Sequence, residues 1–331
     1  MPELTNIIRG AVTDKKIAIL GDLVADQFLK GTITRISREA PVFILRHDET
    51  ETLCGAAANA AVNVAALGGA PILVGVAGAD RNGELLREAL IRSNVNTDLL
   101  VTSPTMQTTT KIRVLAGQHY APRQQVIRID YEDANKPDVG LKQQLRANAV
   151  SAAERADAII VSDYNYGAVD EELFEAVRGT AQSRRIPLVV DSRKRLRSFT
   201  GATTATPNQE EVEQILGREL TELDCSRLRE ELNLEALLVT CGNKGMILAE
   251  GSGSPRRIPA IGSTVPVDVT GAGDTVIAVY TLGLAAGLSF ADAATLANHA
   301  GGIVVMKKGT ASVSPDELIR SLTAVPKSEA A

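Results

Sequence analysis

The sequence contains no tryptophan, and aromatic side chains make up only 3% of its 331 residues. Single-stranded nucleic acid is gripped by stacking bases on aromatic rings, and a chain so poor in rings has little from which to build such a platform. There is no basic excess either. Thirty-five Lys and Arg stand against forty Asp and Glu, and the formal charge of -5 offers no field to a phosphate backbone. Nucleic acid is therefore not an expected partner. Cysteine is scarce: Cys54, Cys225 and Cys241 are far apart, odd in number and without metal-ligand spacing. Neither a disulfide framework nor a zinc site is expected, and reduced thiols suit the cytoplasm. No run approaches the ~18 uncharged apolar residues of a membrane span. The opening Met1-Pro2-Glu3-Leu4-Thr5 lacks the basic and apolar regions of a signal peptide. What remains, 44% hydrophobic and 23% charged, is ordinary for a soluble globular protein long enough to bury a large core.

Short apolar runs punctuate the chain. Ile17 to Leu20 stops at Gly21, Ile72 to Val76 follows Pro71, and Ala158 to Val161 stops at Ser162-Asp163. Leu188 to Val190 stops at Asp191, and Ala236 to Thr240 ends near Gly242. Near-continuous runs of this kind suit parallel strands covered on both faces. Helical stretches are expected between them, at about Ala57 to Leu67, Gly83 to Ser93, Leu141 to Ala156, Glu171 to Ser183 and Glu210 to Leu216. Strands alternating with helices imply an α/β fold with crossover helices. Two segments break the rhythm. Residues of about 28–47 and 108–131 are rich in β-branched side chains and partly alternate. They read either as a small sheet projecting from the core or as ordinary surface hairpins. The tail from about 326 is short, polar and expected to fray.

The strongest local signal is Asp268-Val269-Thr270-Gly271-Ala272-Gly273-Asp274, followed by a helical stretch from Thr275. Small residues at Gly271, Ala272 and Gly273 admit a ligand close to the backbone, and N–H groups at a helix start can hold phosphate oxygens. A carboxylate at Asp274, in that first turn, can take the proton of an attacking hydroxyl. Read alone, Asp274 can equally be a helix cap.

This stretch resembles the C-terminal signature of the ribokinase-like (PfkB) carbohydrate kinase family, and further motifs of that family occur in its order. They are Gly21-Asp22-Leu23-Val24-Ala25-Asp26, Cys54-Gly55-Ala56-Ala57-Ala58-Asn59, Asn208-Gln209-Glu210-Glu211 and Thr240-Cys241-Gly242-Asn243-Lys244-Gly245, with Asn298 on a small-residue helix. The resemblance runs from about Lys16 to about Leu318. It implies one ribokinase-like domain over 1–331, a three-layer α/β/α sandwich with a mostly parallel sheet and a small β-lid. It implies that Asp26, Gly55, Asn59, Asp191 and Arg193 meet the sugar, and that Asn208, Glu211, Thr240, Gly242, Gly245 and Asn298 meet ATP. Glu211 would serve Mg2+ through water, and Asp268 with Thr270 would lie near a monovalent cation such as K+. The lid segments, in this family, often pair between two copies to give a homodimer.

Arg35-Ile36-Ser37-Arg38-Glu39-Ala40-Pro41-Val42, Val161-Ser162-Asp163-Tyr164 and Gly309-Thr310-Ala311-Ser312-Val313-Ser314-Pro315 resemble one branch of the family, the bacterial heptose 7-phosphate kinases. Those enzymes phosphorylate the anomeric hydroxyl of D-glycero-D-manno-heptose 7-phosphate. There are departures. Tyr166 stands where the family has Lys, Arg193 where the branch has Lys, Arg38 where it has Pro, and His119-Tyr120-Ala121-Pro122-Arg123 looks like an altered lid loop. Arg35, Arg38, Lys111, Arg113, Arg128 and Arg193 are candidate anion contacts. Other sugars, sugar phosphates and nucleosides remain open as acceptors. Two readings from other classes also remain: a sugar- or nucleotide-binding protein without catalysis, and a nicotinamide oxidoreductase. The second lacks a Gly-x-Gly-x-x-Gly turn after the first strand.

Overall fold

The computed structural model describes residues 2–118, 123–133, 136–263 and 265–324. The altered loop at His119–Pro122 and the tail from about 326 therefore lie outside the described residues. In chain order the strands are β1 (Lys16–Gly21), β2 (Leu23–Ile36), β3 (Phe43–Ala56), β4 (Ala70–Gly78), β5 (Leu100–Ser103), β6 (Thr110–Gly117) and β7 (Gln124–Tyr131). They continue with β8 (Ala158–Asp163), β9 (Leu188–Ser192), β10 (Thr204–Ala205), β11 (Ala236–Thr240), β12 (Met246–Glu250) and β13 (Arg256–Ile258). The helices are α1 (Pro2–Asn6), α2 (Ala57–Ala66), α3 (Arg81–Arg92), α4 (Val139–Ala153), α5 (Glu171–Arg184), α6 (Gln209–Leu216), α7 (Glu222–Glu231), α8 (Ala272–Ala285), α9 (Phe290–Val304) and α10 (Pro315–Thr323).

Nine strands form one sheet in the order β13-β12-β11-β10-β9-β8-β1-β4-β5. All neighbours are parallel except along β12, which runs against both β11 and β13. Side chains of a strand alternate between faces, and the core divides accordingly. Ile17 and Ile19 join one cluster with α2, α3, α8, α9 and α10, while Ala18 and Leu20 join another with α4, α5, α6 and α7. This is the expected three-layer sandwich, and it explains why the strand runs are apolar without interruption. β1 lies between β4 and β8, so the chain leaves it first to one side and then to the other. A reversal of this kind opens a crevice at the carboxyl ends of the strands, where open α/β sheets bind ligands.

The irregular segments form a second sheet, β3-β2-β6-β7, which is the small lid. It is mixed: β2 pairs β3 and β6 pairs β7 antiparallel, whereas β2 pairs β6 parallel. The lid strands reach deeper than the sequence indicated. β2 begins at Leu23, directly after β1, and β3 runs on to Ala56, where α2 starts. Asp26, whose motif reads as a carboxylate at the end of the first core strand, is thus a lid residue, and so is Gly55.

The expected helices are all present within a few residues of their predicted limits. Missed were β5, β10, β12, β13, α1, α7 and α10. β10 and β13 are too short for periodicity to register, but α10 was announced by Ser314-Pro315-Asp316-Glu317. Ser314 and Glu317 close a reciprocal capping box there.

One buried contact tests the layer formed by α4 to α7. Phe174 of α5 is fully buried, edge-on to Phe199 with ring centroids 5.1 Å apart. Phe174→Ala is expected to lower unfolding free energy by about 3–5 kcal/mol, through lost burial and the cavity left behind. Urea titration with an unchanged m-value measures it, and a loss under about 1 kcal/mol would contradict this packing.

Candidate active site

Helix α8 begins above the carboxyl ends of β8 and β9, and its first turn buries Asp274, only 3% exposed. Asp274 Oδ2 accepts a hydrogen bond from Asn59 Nδ2 at 2.9 Å, and Oδ1 accepts from the Tyr164 hydroxyl at 2.6 Å. The Asn59 amide nitrogen also lies 3.3 Å from the Gly271 carbonyl. Both partners are pure acceptors, which settles the orientation of the amide. Asn63 Nδ2 then meets Asn59 Oδ1 at 3.2 Å, and Thr275 Oγ1 donates to Asn63 Oδ1 at 3.1 Å. Gly271 caps the helix at φ 76°, where a Cβ would stand 2.5 Å from Asn59 Nδ2, so both conformation and space require glycine.

Burial pushes the Asp274 carboxyl up to about 6, while the donors Tyr164 and Asn59 hold it down; Asp26 raises it and Arg193 lowers it. Such a group is mostly ionised at neutral pH yet more basic than an exposed aspartate, as a general base should be. The first-turn N–H groups of Gly273 and Asp274 have no acceptor within the helix, and a Cβ on Gly273 would meet open space. An incoming phosphate can come close there.

On the lid side, Asp26 is buried and paired with Arg113. Burial raises its pKa, and Arg113, Lys111 and Arg128 oppose the rise. A Cβ on Gly55 would lie 2.6 Å from Asp26 Oδ2, so the glycine makes room for this carboxylate. A cleft of about 850 Å3 extends along the same lid face beyond Asp26, lined by Phe28, Lys30 and Leu115 and, opposite, by Asp268 and Gly309. Arg193 is exposed just past β9, its guanidinium 4.1 Å from the centre of the Tyr164 ring. Burial lowers the pKa of Lys111, and Arg193 and Arg128 push it further down. Lys111 and Arg128 share Asp130, at 4.0 and 2.8 Å, and Arg193 adds a third positive charge that bears on Lys111. Tyr166, in place of the usual Lys, donates to Glu132 at 2.7 Å. Arg35 and Arg38 stand apart at the exposed far end of β2 and in the loop after it.

On the other side of Asp274, Thr240, Gly242, Gly245 and Asn298 line one cleft of about 190 Å3 together with Ala272 and Gly273. Asn298 donates to the Pro259 carbonyl at 2.7 Å. Asn208 and Glu211 close a reciprocal cap on α6: Asn208 Oδ1 accepts from Glu211 N at 2.8 Å and Glu211 Oε2 from Asn208 N at 2.9 Å. Burial, then Glu211 and Asp274, push Asp191 well above the ordinary carboxylate range. Asp191 thus faces Glu211 and Asp274. Among the described residues no cluster of three His, Cys, Asp or Glu could hold a metal ion by itself. A magnesium ion that keeps its waters and rides on phosphates needs only one or two carboxylates, and the negative surroundings that raise Asp191 are the kind such an ion relieves. Asp268 accepts from Thr270 N and Gly309 N, each at 2.9 Å, and so ties the signature loop to the Gly309 segment.

Tyr164 and Asp22 were not singled out from the sequence. Tyr164 occurs only within a branch motif, and Asp22 reads as a strand-end residue; nothing in their spacing announces a contact with Asp274 or with residues 164–168.

A family model described as pfkB family carbohydrate kinase matches residues 14–317. The bifunctional protein HldE of Magnetococcus marinus is 38% identical over 324 residues, 95% of this chain and 65% of that protein. The HldE of Hahella chejuensis is 39% identical over 93% of this chain and 64% of its own length. The chain thus spans slightly less than two thirds of these relatives. Among solved structures, Arabidopsis thaliana ribokinase complexed with ribose and ATP has a TM-score of 0.73 at 19% identity, covering 95% of this chain and 100% of that one. Escherichia coli phosphofructokinase-2 in complex with fructose-6-phosphate has a TM-score of 0.70 at 19% identity, covering 93% and 97%. The chain belongs to the pfkB family of carbohydrate kinases.

Proposed function

We propose that this kinase phosphorylates the anomeric hydroxyl of D-glycero-D-manno-heptose 7-phosphate in the cytoplasm, with Asp274 as its base. The observation that carries the reading is the buried Asp274 carboxylate at the start of α8, with the Asp26 lid face on one side and the Thr240–Gly245 cleft on the other. In this scheme the acceptor hydroxyl gives its proton to Asp274, its oxygen bonds to the γ-phosphorus, and the bridging P–O bond breaks to release ADP. The N–H groups of Gly273 and Asp274 face the charge that develops. Thr240, Gly242, Gly245 and Asn298 bind the nucleotide, and Asp26 and Gly55 shape the sugar pocket. Asn59, whose amide already serves Asp274 and Gly271, orients the base at the edge of that pocket. Magnesium bound with the triphosphate would offset its charge, and Glu211 and Asp191 would hold the ion through water. The two N–H bonds on Asp268 give it a structural use, and we assign it no ion. One kinase domain over 1–331, closed by the lid, is the unit that acts.

The phosphorylated acceptor is supported by the cations Arg193, Lys111 and Arg128, the last two sharing one carboxylate, Asp130, and by the similarity to HldE along nearly the whole chain. Arg193, 4.1 Å from the Tyr164 ring centre, still carries N–H groups that can grip a phosphate. ADP release across free and phosphorylated sugars is the direct test. Turnover with heptose 7-phosphate well above that with fructose 6-phosphate and free mannose is expected, and a preference for a free sugar would overturn the assignment. Arg193→Ala should weaken the phosphorylated acceptor about 10–100-fold, the worth of a charge-assisted hydrogen bond, and leave a free-sugar analogue nearly unchanged. Equal losses for both would make Arg193 structural.

Asp274→Asn should keep ATP binding and lose roughly 10²–10⁴-fold in turnover. The wild-type kcat/KM should fall as pH drops below about 6, where Asp274 takes up a proton and can no longer act as a base. A mutant within threefold of wild type would remove Asp274 from the mechanism.

A homodimer through the lid is also proposed. Ile127 and Ile129, 53% and 42% exposed, pair with Val114 and Ile112 on the lid face turned away from Asp26, and β7 is an edge strand exposed throughout. Light scattering should give twice the chain mass for wild type and a smaller mass for Ile129→Lys. An unchanged dimer in the mutant would place the interface elsewhere.

A further inference from the structure

Asp22 carries a buried carboxylate, 2% exposed, that the scheme above does not use. It lies just past β1 at the crevice, and its partners are all backbone groups of one turn. Oδ2 accepts from Tyr164 N at 2.8 Å and from Tyr166 N at 3.0 Å, and Oδ1 accepts from Ala168 N at 2.9 Å. That turn needs holding. Asn165 sits at φ 66° and Gly167 at φ 100°, conformations that no helix or strand ladder supports. Asp163, anchored by Arg195 at 2.5 Å and Ser192 at 2.7 Å, adds only a longer bond from Asn165 N at 3.2 Å. The first residue of the turn is Tyr164, whose hydroxyl reaches Asp274 Oδ1 and whose ring lies under Arg193.

We propose that Asp22 is a positioning residue for phosphoryl transfer: it clamps the 164–168 turn so that the Tyr164 hydroxyl stays on Asp274 Oδ1. Resting on the reading of Asp274 as the base, the inference adds a residue that touches neither substrate nor Asp274 and acts wholly through Tyr164. The Tyr164 hydroxyl does two things. It fixes the carboxylate plane together with Asn59, and it donates to the ionised form. Burial and the charge of Asp274 push the Tyr164 hydroxyl well above the ordinary phenol range, so it remains a donor across the working pH. The groups that bear on Asp274 come from several elements: Asn59 from α2, Asp26 from β2, Tyr164 after β8, Asp191 from β9 and Arg193 after it. Of the two donors to Asp274, Asn59 is fixed on a helix, whereas Tyr164 is carried by a single turn.

The test is a double-mutant cycle on the intact protein with Asp22→Asn and Tyr164→Phe. An asparagine at 22 can serve one side of the turn but turns an NH2 toward the remaining N–H groups. Each single variant should lose roughly 10-fold in kcat, the worth of one hydrogen bond to a charged group, with the KM for ATP little changed. In each, the acidic limb of the kcat/KM profile should move to higher pH, because losing a donor to the carboxylate raises its pKa. The double variant should be no worse than Tyr164→Phe alone, the mark of two residues acting through one contact. Additive losses, or an acidic limb that stays in place in Tyr164→Phe, would overturn the proposal. Urea titration identifies any loss of folded Asp22→Asn, and Tyr164→Phe keeps the limb measurable in that case. Asp274→Asn separates the two claims: if it stays active, the base reading fails, whereas an inactive Asp274→Asn beside an unmoved limb in Tyr164→Phe rejects the Tyr164 contact alone.

Discussion

A carboxylate can be buried in an ionised form only if donors replace the water it has lost. Asp274 meets that condition with one donor on each oxygen. The two donors come from opposite directions, Asn59 from the helix after the lid strands and Tyr164 from the turn after β8. Much of the local architecture follows from keeping them there. Thr275 and Asn63 orient the Asn59 amide, a glycine at 271 leaves space for it, and the Tyr164 turn is gathered onto Asp22. Residues more than two hundred positions apart in the chain thus meet at one pair of oxygens.

The sheet makes this convergence possible. Because β1 sits between β4 and β8, the turns after β1 and β8 are neighbours at the reversal, and α8 can place its first turn over them. The lid grows out of the same place, since β2 follows β1 directly and β3 leads directly into α2. Any movement of the lid is therefore coupled to Asp26 on one strand and to Asn59 just beyond the other. The cations follow the same division. Arg113 is taken up by Asp26 and Arg128 with Lys111 by Asp130, whereas Arg193 lies over the Tyr164 ring at the junction of lid and core.

Much of this was legible beforehand, though unevenly. The parallel strands were readable because strands buried on both faces show uninterrupted apolar runs, and the crossover helices because longer stretches had to bridge those runs. The motif residues Thr240, Gly242, Gly245 and Asn298 line one cleft beside the helix start that carries Asp274. Asp26 lies on a lid strand rather than at the end of a core strand. Its strand belongs to the lid, where alternation is masked because the inner half of β2 is buried on both sides. Asn208 and Glu211 turned out to be each other's caps, which a four-residue pattern cannot separate from a role toward a metal-bound phosphate.

The sequence by itself determined the local terms: which runs are apolar on both faces, where helices start and stop, where a backbone must be glycine, and which family signature the chain carries. Each of these is set by residues within a few positions of one another. The tertiary structure alone decided which donors reach Asp274, that Asp22 closes on the turn carrying Tyr164, and that Arg193 rests on that same ring. Those contacts depend on the order of strands in the sheet and on where the chain reverses it. Side-chain hydrogen bonds act over about 3 Å in space, and no spacing along the chain encodes that distance until the sheet has brought the ends of β1, β8 and β9 side by side.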